Sequence, residues 1–520
     1  MFKLLIGTLA MALPLLAHEG APDEFRYNGA AEPEPPFPMT LPTAPRFPAR
    51  DFDIRQYGAV ADGCTLSTSA FARAIAACSQ AGGGRVVVPA GEWLTGAIQL
   101  RSNINLYLAE GATVRFSTDP KDYLPAVWVR WAGFECMNYS PLIYARGCTN
   151  IAITGRGTVD GQGERWWYWG KYQTAQAQPL YQMTIDNVPV EKRVFARPEN
   201  FMRPQFIQPI DCHGVLVEGI KIVSGPFWTL QFAYCDQVIA RNLTIRTSGS
   251  NNDGIDLDSC HDALIENCDV SAGDDCICMK SGINEEGRRI GRPTERVVIR
   301  HCLTRSGHGG FVIGSDTSGG IRNIFVYDCD FEGTDVGLRI KSARGRGGVV
   351  ENIWCRDLRM RNINAQAIQI TSFYRAWFGA DHGPAPLFRN LHFDNIAVNV
   401  ALTGIEIAGL PEQAIEGLTF RHLHISSHRG LTCTDAQGIT LDDVFLNPYS
   451  ADETLSLKNT RDVTVEHCRD AEGCGTYLVA SGRISGIKLI GDDFSQAKTV
   501  SRLGPGISDS AVQRIDSARE

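Results

Sequence analysis

Val215-Leu216-Val217-Glu218-Gly219-Ile220 opens a phrase that the chain then repeats. It returns as Val238-Ile239-Ala240-Arg241-Asn242-Leu243, Leu264-Ile265-Glu266-Asn267-Cys268, Val297-Val298-Ile299-Arg300-His301-Cys302 and Ile324-Phe325-Val326-Tyr327-Asp328-Cys329. Weaker copies begin at Ile353, Leu391, Leu418, Ile439 and Val463. Each copy is a short apolar strand, a polar or glycine corner and a second apolar pair, with no helical period between copies. One copy cannot bury its own apolar face, whereas stacked copies share a continuous core. The pattern predicts an all-β fold, a single-stranded right-handed parallel β-helix. A propeller would need four longer strands per blade, and a sandwich would not need so regular a repeat.

An open coil exposes strand edges at its ends and needs a cap. The stretch Thr68 to Ala81 supplies a helix at the N-terminal end: Phe71, Ala74, Ile75 and Cys78 recur at helical spacing, and Gly82-Gly83-Gly84 stops it. Residues 18–46 are proline-rich and read as a linker or surface strap. Residues 47–500 read as one coil domain, and 501–520 as a polar tail that loosely covers the far end.

The 520 residues are 43% hydrophobic and 21% charged, an ordinary globular balance for a large core. The only long apolar run is Leu4-Leu5-Ile6 to Ala17, preceded by Lys3, about right for a signal peptide and too short to span a bilayer. Cleavage after Ala17 and a periplasmic or secreted protein are the expectation. Sixteen cysteines do not imply eight disulfides. Cys268, Cys302, Cys329 and Cys355 fall near equivalent points of successive repeats, where they stack as small apolar side chains. Cys468 and Cys474 are the better disulfide pair. The net charge of −8 argues against nucleic acid as a partner, yet Lys280 to Arg346 is locally basic. A monomer is expected.

Four polar clusters fall in order on consecutive repeats: Asn251-Asn252-Asp253, Gly273-Asp274-Asp275, Gly307-His308-Gly309 and Arg339-Ile340-Lys341. Asp253 and Asp274 are 21 residues apart, one short turn of the coil. Adjacent rungs lie about 4.8 Å apart, so the carboxyl groups are close neighbours. Like charges that close raise at least one pKa, so the site can hold a protonated acid beside a carboxylate. Acid/base cleavage of a glycosidic bond needs that pair. Arg339 and Lys341 suit an anionic sugar. Taken singly, each cluster can equally close a corner, and Asp256 and Asp258 read as corner or solvent-facing residues. Order and register across all four favour an enzyme.

In that order the clusters resemble the four motifs of the polygalacturonases, glycoside hydrolase family 28, bacterial exo-acting members included. The likeness runs from Tyr57-Gly58-Ala59 through Gly161-Gln162-Gly163 and Trp166-Trp167 to Tyr374. It implies inverting hydrolysis of α-1,4-galacturonosidic bonds in pectin on a right-handed β-helix, without a cofactor or metal. By the same resemblance Asp274 is the general acid, Asp253 and Asp275 activate water, and His308 tunes the acid. Arg339, Lys341 and Tyr374 bind substrate, and Asn251 positions Asp253 or substrate.

Asn252 stands where the family usually has threonine. Asp275 to His308 spans 33 residues, and the extra length from Asn284 to Arg292 reads as an insertion loop near the cleft. A loop closing one end of a groove converts mid-chain to end-wise cleavage, so exo action is expected. Trp166, Trp167, Trp169 and Trp228 are equally open to sugar stacking or core packing. The alternatives are a hydrolase of rhamnogalacturonan or xylogalacturonan, a calcium-dependent pectate lyase, and a non-catalytic binding coil.

Overall fold

The computed structural model describes residues 32–374, 383–449 and 452–515. The expected signal segment lies outside them. The repeated phrases stack in register: Val215 pairs in parallel with Val238, Val238 with Ala263, Ala263 with Val297, Val297 with Ile324 and Ile324 with Ile353. The same column continues through Leu391, Leu418, Ile439 and Val463. The chain is a right-handed parallel β-helix. Its core is the inward column of each strand: Val215, Val217, Val238, Ala240, Ala263 and Ile265 are almost wholly buried.

The corners explain the polar residue inside each phrase. Asn242, Asn267, His301, Asp328 and Asp357 all take the left-handed conformation, with φ between 46° and 55°. Asn and Asp tolerate that region because their short side chains bond locally to backbone. Cys268, Cys302 and Cys329 stack on successive rungs, since Asp269, Leu303 and Asp330 pair one residue later. Cys355 pairs with Val326 and stands apart from that stack. The expected Cys468–Cys474 disulfide is not formed, and all sixteen thiols are free. Cys468 instead donates to the Leu441 carbonyl at 3.5 Å, and Cys474 lies 3.4 Å from the Thr454 hydroxyl.

Helix α1, Thr68–Gln80, caps the N-terminal end with Ala70, Phe71, Ala74, Ile75 and Cys78 buried. The proline-rich segment is a strap. Phe47 packs on Ala152, Leu216 and Ile239, while Phe37, Met39 and Leu41 pack on Leu264, Val298, Phe325 and Tyr327. These contacts follow one outward-facing apolar column of the coil, which would otherwise meet water. At the far end the coil runs on past its expected limit. Strand Thr499–Leu503 crosses the expected limit at residue 500, strand Val512–Ile515 lies beyond it, and both pair with the preceding rungs.

Three elements outside the coil were not foreseen. An antiparallel hairpin joins Val127–Trp131 to Phe134–Asn138. Helix α2 spans Gly170–Ile185, and helix α3 spans Asn284–Ile290, where a loop was expected. Helix α2 carries Pro179 and little amphipathic pattern, which hid it from sequence reading. The three share a second apolar cluster that includes Val129, Trp131, Phe134, Ala177, Leu180 and Ile283. Buried Glu286 of α3 ties that helix to the hairpin and to the segment after α2: it pairs with Arg193 at 2.5 Å and accepts from the Glu135 amide at 3.4 Å. Among the described residues no helix is long and apolar enough to cross a membrane.

Candidate active site

Ile255 pairs with Ile277, so Asp253 and Asp275, each two residues earlier, stack on adjacent rungs. Gly273 permits the tight approach that presents Asp274 beside them: a Cβ there would stand 2.1 Å from the Gly249 carbonyl oxygen. The three acids meet as expected. Each is held by its own partner. The Lys280 ammonium lies 3.0 Å from Asp253, and the Lys341 ammonium 2.7 Å from Asp275. Asp274 faces His308 Nδ1 at 3.1 Å and accepts from the Asn251 amide at 3.4 Å. Arg339 lies 3.7 Å from Asp275, and Tyr374 stands with its ring 4.9 Å from the Lys341 nitrogen.

Burial separates the acids. It pushes the Asp253 carboxyl up to about 7, against the pull of Lys280 and with the repulsion of Asp274 and Asp275. Burial also acts to raise Asp274, but the His308 hydrogen bond, with Lys341 and Lys280, outweighs it and holds that carboxyl down to about 2. The same hydrogen bond raises His308. In the free site Asp253 therefore holds a proton far more readily than Asp274, which is the ionised partner of His308.

Residues missed in the sequence complete the floor. Asp256 and Asp258 are not corner residues: both are fully buried. Lys280 sits 3.5 Å from Asp256, and Arg130 of the hairpin sits 2.7 Å from Asp258. Asp258 and Lys280 are register partners, so aligning successive repeats would have flagged Lys280. Arg203, wholly buried, donates to Gln173 at 2.8 Å and to Asn251 at 3.1 Å, fixing the amide that faces Asp274. Arg130, Gln173 and Arg203 come from outside the repeat and left no periodic signal.

The expected basic stretch divides. Arg292 pairs with Asp236, Arg305 with Asp269 and Arg344 with Glu412, all away from the acids. Arg346 lines the cavity with Lys280 and Lys341. The tryptophans divide as well. Trp166 and Trp169 are core residues, while Trp228 forms a wall of the cavity beneath Lys280, 4.3 Å from its ring.

The floor also shows where the groove begins. Gln231, Asp256, Cys278, Val312, Arg339, Gln369, Glu406 and Thr432 form one outward-facing column, register partner to register partner. The first four are wholly buried, Arg339 is 19% exposed and Thr432 is open to solvent. At Gln231 and Asp258 the cover is the hairpin: its Arg130 pairs with Asp258, its Arg130 carbonyl accepts at 2.8 Å from Gln205 and from Gln208, which also donates to Gln231, and its Trp131 stacks on Phe227. The groove is closed toward the N-terminal rungs and open from Arg339 onward.

Asp253, Asp275 and Cys278 are near enough together to share a cation. Lys280 and Lys341 already pair with these two carboxyl groups, so a calcium ion would meet two ammonium groups head-on.

Comparison with known proteins agrees with this geometry. The model of glycosyl hydrolases family 28 matches residues 78–444. An exo-poly-alpha-D-galacturonosidase of Dickeya chrysanthemi is 27% identical over 449 residues, covering 80% of this chain and 74% of its own. A probable polygalacturonase of Vitis vinifera is 29% identical over 412 residues, covering 75% and 78%. Among solved structures, a hyperthermoactive exopolygalacturonase from Thermotoga maritima superposes with a TM-score of 0.71 at 36% identity, over 82% of this chain and 94% of that one. The carboxylate cluster, the β-helix that presents it and these likenesses agree that the chain belongs to the glycosyl hydrolases of family 28.

Proposed function

We propose that this protein hydrolyses α-1,4-galacturonosidic bonds of pectin from the non-reducing chain end, with inversion. The one-sided burial of the groove floor carries the end-wise reading. A polymer cannot cross the hairpin, whose Arg130 pairs with buried Asp258 and is bridged by Gln208 to buried Gln231. The exopolygalacturonase likeness supports the same activity.

The direction follows from the acids. Asp274, the proposed general acid, borders half-exposed His308 on the open side, whereas Asp253 is buried on the closed side. The leaving group then lies along the open groove over Arg339. The sugar whose C1 is attacked lies in the closed cavity, and that sugar is the non-reducing end. Asp253 and Asp275 activate water, the role that two stacked carboxylates can share.

Asp274 must gain a proton to act. Lys341 is one of the groups that hold it down. A substrate carboxylate that draws Lys341 and Arg339 to itself weakens that hold and adds a negative charge nearby. Both effects raise Asp274 and move the shared proton toward it from Asp253, which is left as a base. Substrate binding thus sets the protonation that the reaction needs. We also propose export, since a pectic polymer is met outside the cell.

Viscometry against reducing-end release tests the end-wise reading. Polygalacturonate should yield a tenth of its reducing ends with little loss of viscosity. A steep early loss would show internal cleavage.

A further inference from the structure

The cavity holds, beside the hairpin tip, a second polar pair that the reaction does not use. Asp316 and Arg346 both line it, at 7% and 1% exposure. They stand 4.0 Å apart, beyond a direct hydrogen bond, and the buried Nε of Arg346 has no hydrogen-bond partner. The pair is fixed from several sides. Arg346 donates to the Asn284 side-chain oxygen of α3. Arg288 of the same helix donates to the Arg346 carbonyl at 3.1 Å. The hairpin tip presses on Asp316: a Cβ on Gly133 would lie 3.1 Å from Asp316 Oδ2. Gly133 has φ +81°, so the tip needs glycine on both grounds.

A buried donor and a buried acceptor, held too far apart to satisfy each other, suit a group that can serve both. A hydroxyl does so, giving its proton to Asp316 and accepting from Arg346 Nε. A carboxylate fits worse, because the Asp316 charge beside Arg346 repels it. Resting on the end-wise reading above, we propose that Asp316 and Arg346 bind the free 4-hydroxyl of the non-reducing terminal galacturonate. In a galacturonan every other O4 is consumed in a glycosidic bond, so a receptor for a free 4-hydroxyl recognises the chain end itself. The hairpin excludes polymer by bulk, and this pair rewards the correct end.

The test compares trigalacturonate with the 4,5-unsaturated trimer made by lyase cleavage, which lacks that hydroxyl. A site built to pair a hydroxyl discriminates strongly against an analogue without it. The wild type should prefer the saturated trimer in kcat/KM by at least about 100-fold. Asp316→Asn keeps the shape of the side chain, and Arg346→Lys keeps a cation. Each should lower kcat/KM on the saturated trimer by about 30-fold or more, an effect of the size of a lost charged hydrogen bond. Each should leave the unsaturated trimer within about threefold. If the unsaturated trimer is bound but not cleaved, its inhibition constant takes the place of kcat/KM. Equal loss on both trimers, or an equal wild-type preference, overturns the receptor. Internal cleavage of longer oligomers by the wild type would instead overturn the end-wise reading beneath it.

Discussion

Lys280→Met removes the one ammonium that serves two buried carboxylates. The Lys280 side chain is 5% exposed, Asp253 3% and Asp256 not at all, at 3.0 and 3.5 Å. At an effective dielectric of about 20, unit charges at those distances attract by roughly 5 kcal/mol each. Dehydration of the three groups consumes most of that sum. Breaking such a pair from one side leaves charge stranded in the interior and typically costs about 3–5 kcal/mol. Methionine keeps the volume and the contact with Trp228, so the loss is electrostatic. Denaturant unfolding measures it, and its pH dependence identifies it. Lys280 is held well above its ordinary value by Asp253 and Asp256 despite burial, so its own titration adds no slope between pH 5 and 9. Asp253 already sits above its unfolded value, so its contribution to stability is present at low pH and is lost as pH rises through about 7. Without the ammonium both acids move further up. The deficit of the variant should therefore be small near pH 4.5 and grow by about 1.4 kcal/mol per pH unit above about 7, and adding Asp256→Asn should recover part of it. A loss under about 1 kcal/mol, flat with pH, would refute this account of the floor.

Three other outcomes are expected. The rate should fall as pH rises through about 7, because the proton shared by the cluster leaves Asp253 there; a rate constant from pH 5 to 9 would remove that proton from the mechanism. Arg339→Gln should raise KM on de-esterified polygalacturonate by about 10- to 30-fold, the value of a charged hydrogen bond, and erase the preference over methyl-esterified pectin. Phe37→Ser should destabilise the coil by about 2 kcal/mol through loss of the strap contact, as unfolding would show, while kcat stays unchanged.

The coil was legible because its physics is periodic. Every apolar phrase from Val215 to Val463 marks a rung, and the αL corners at Asn242, Asn267 and His301 account for the polar interruptions. The acids at 253, 274 and 275 were legible for the same reason, since one-turn spacing predicts stacking. What closes the groove was not. Arg130, Gln173 and Glu286 act through contacts between segments 78 to 151 positions apart in the chain, and α2 and α3 interrupt the repeat without a period of their own. Asp256 and Asp258 were misjudged because their place on the strand faces outward. Outward means solvent only where nothing covers the coil, and the hairpin covers it there. Cys468 and Cys474 were paired by nearness in sequence, but their sulfurs take local backbone and hydroxyl partners instead.

End-wise hydrolysis requires a groove that is closed behind the attacked sugar. Its most direct test is the cleavage of pentagalacturonate labelled at the reducing end, followed by chromatography from the first turnovers, with Asp274→Asn as the inactive control. End-wise attack from the closed cavity predicts that the label shortens in one uniform step, with a single unlabelled short product. A spread of labelled lengths at the earliest times, or a label released first on a monosaccharide, would contradict the closed groove and its direction.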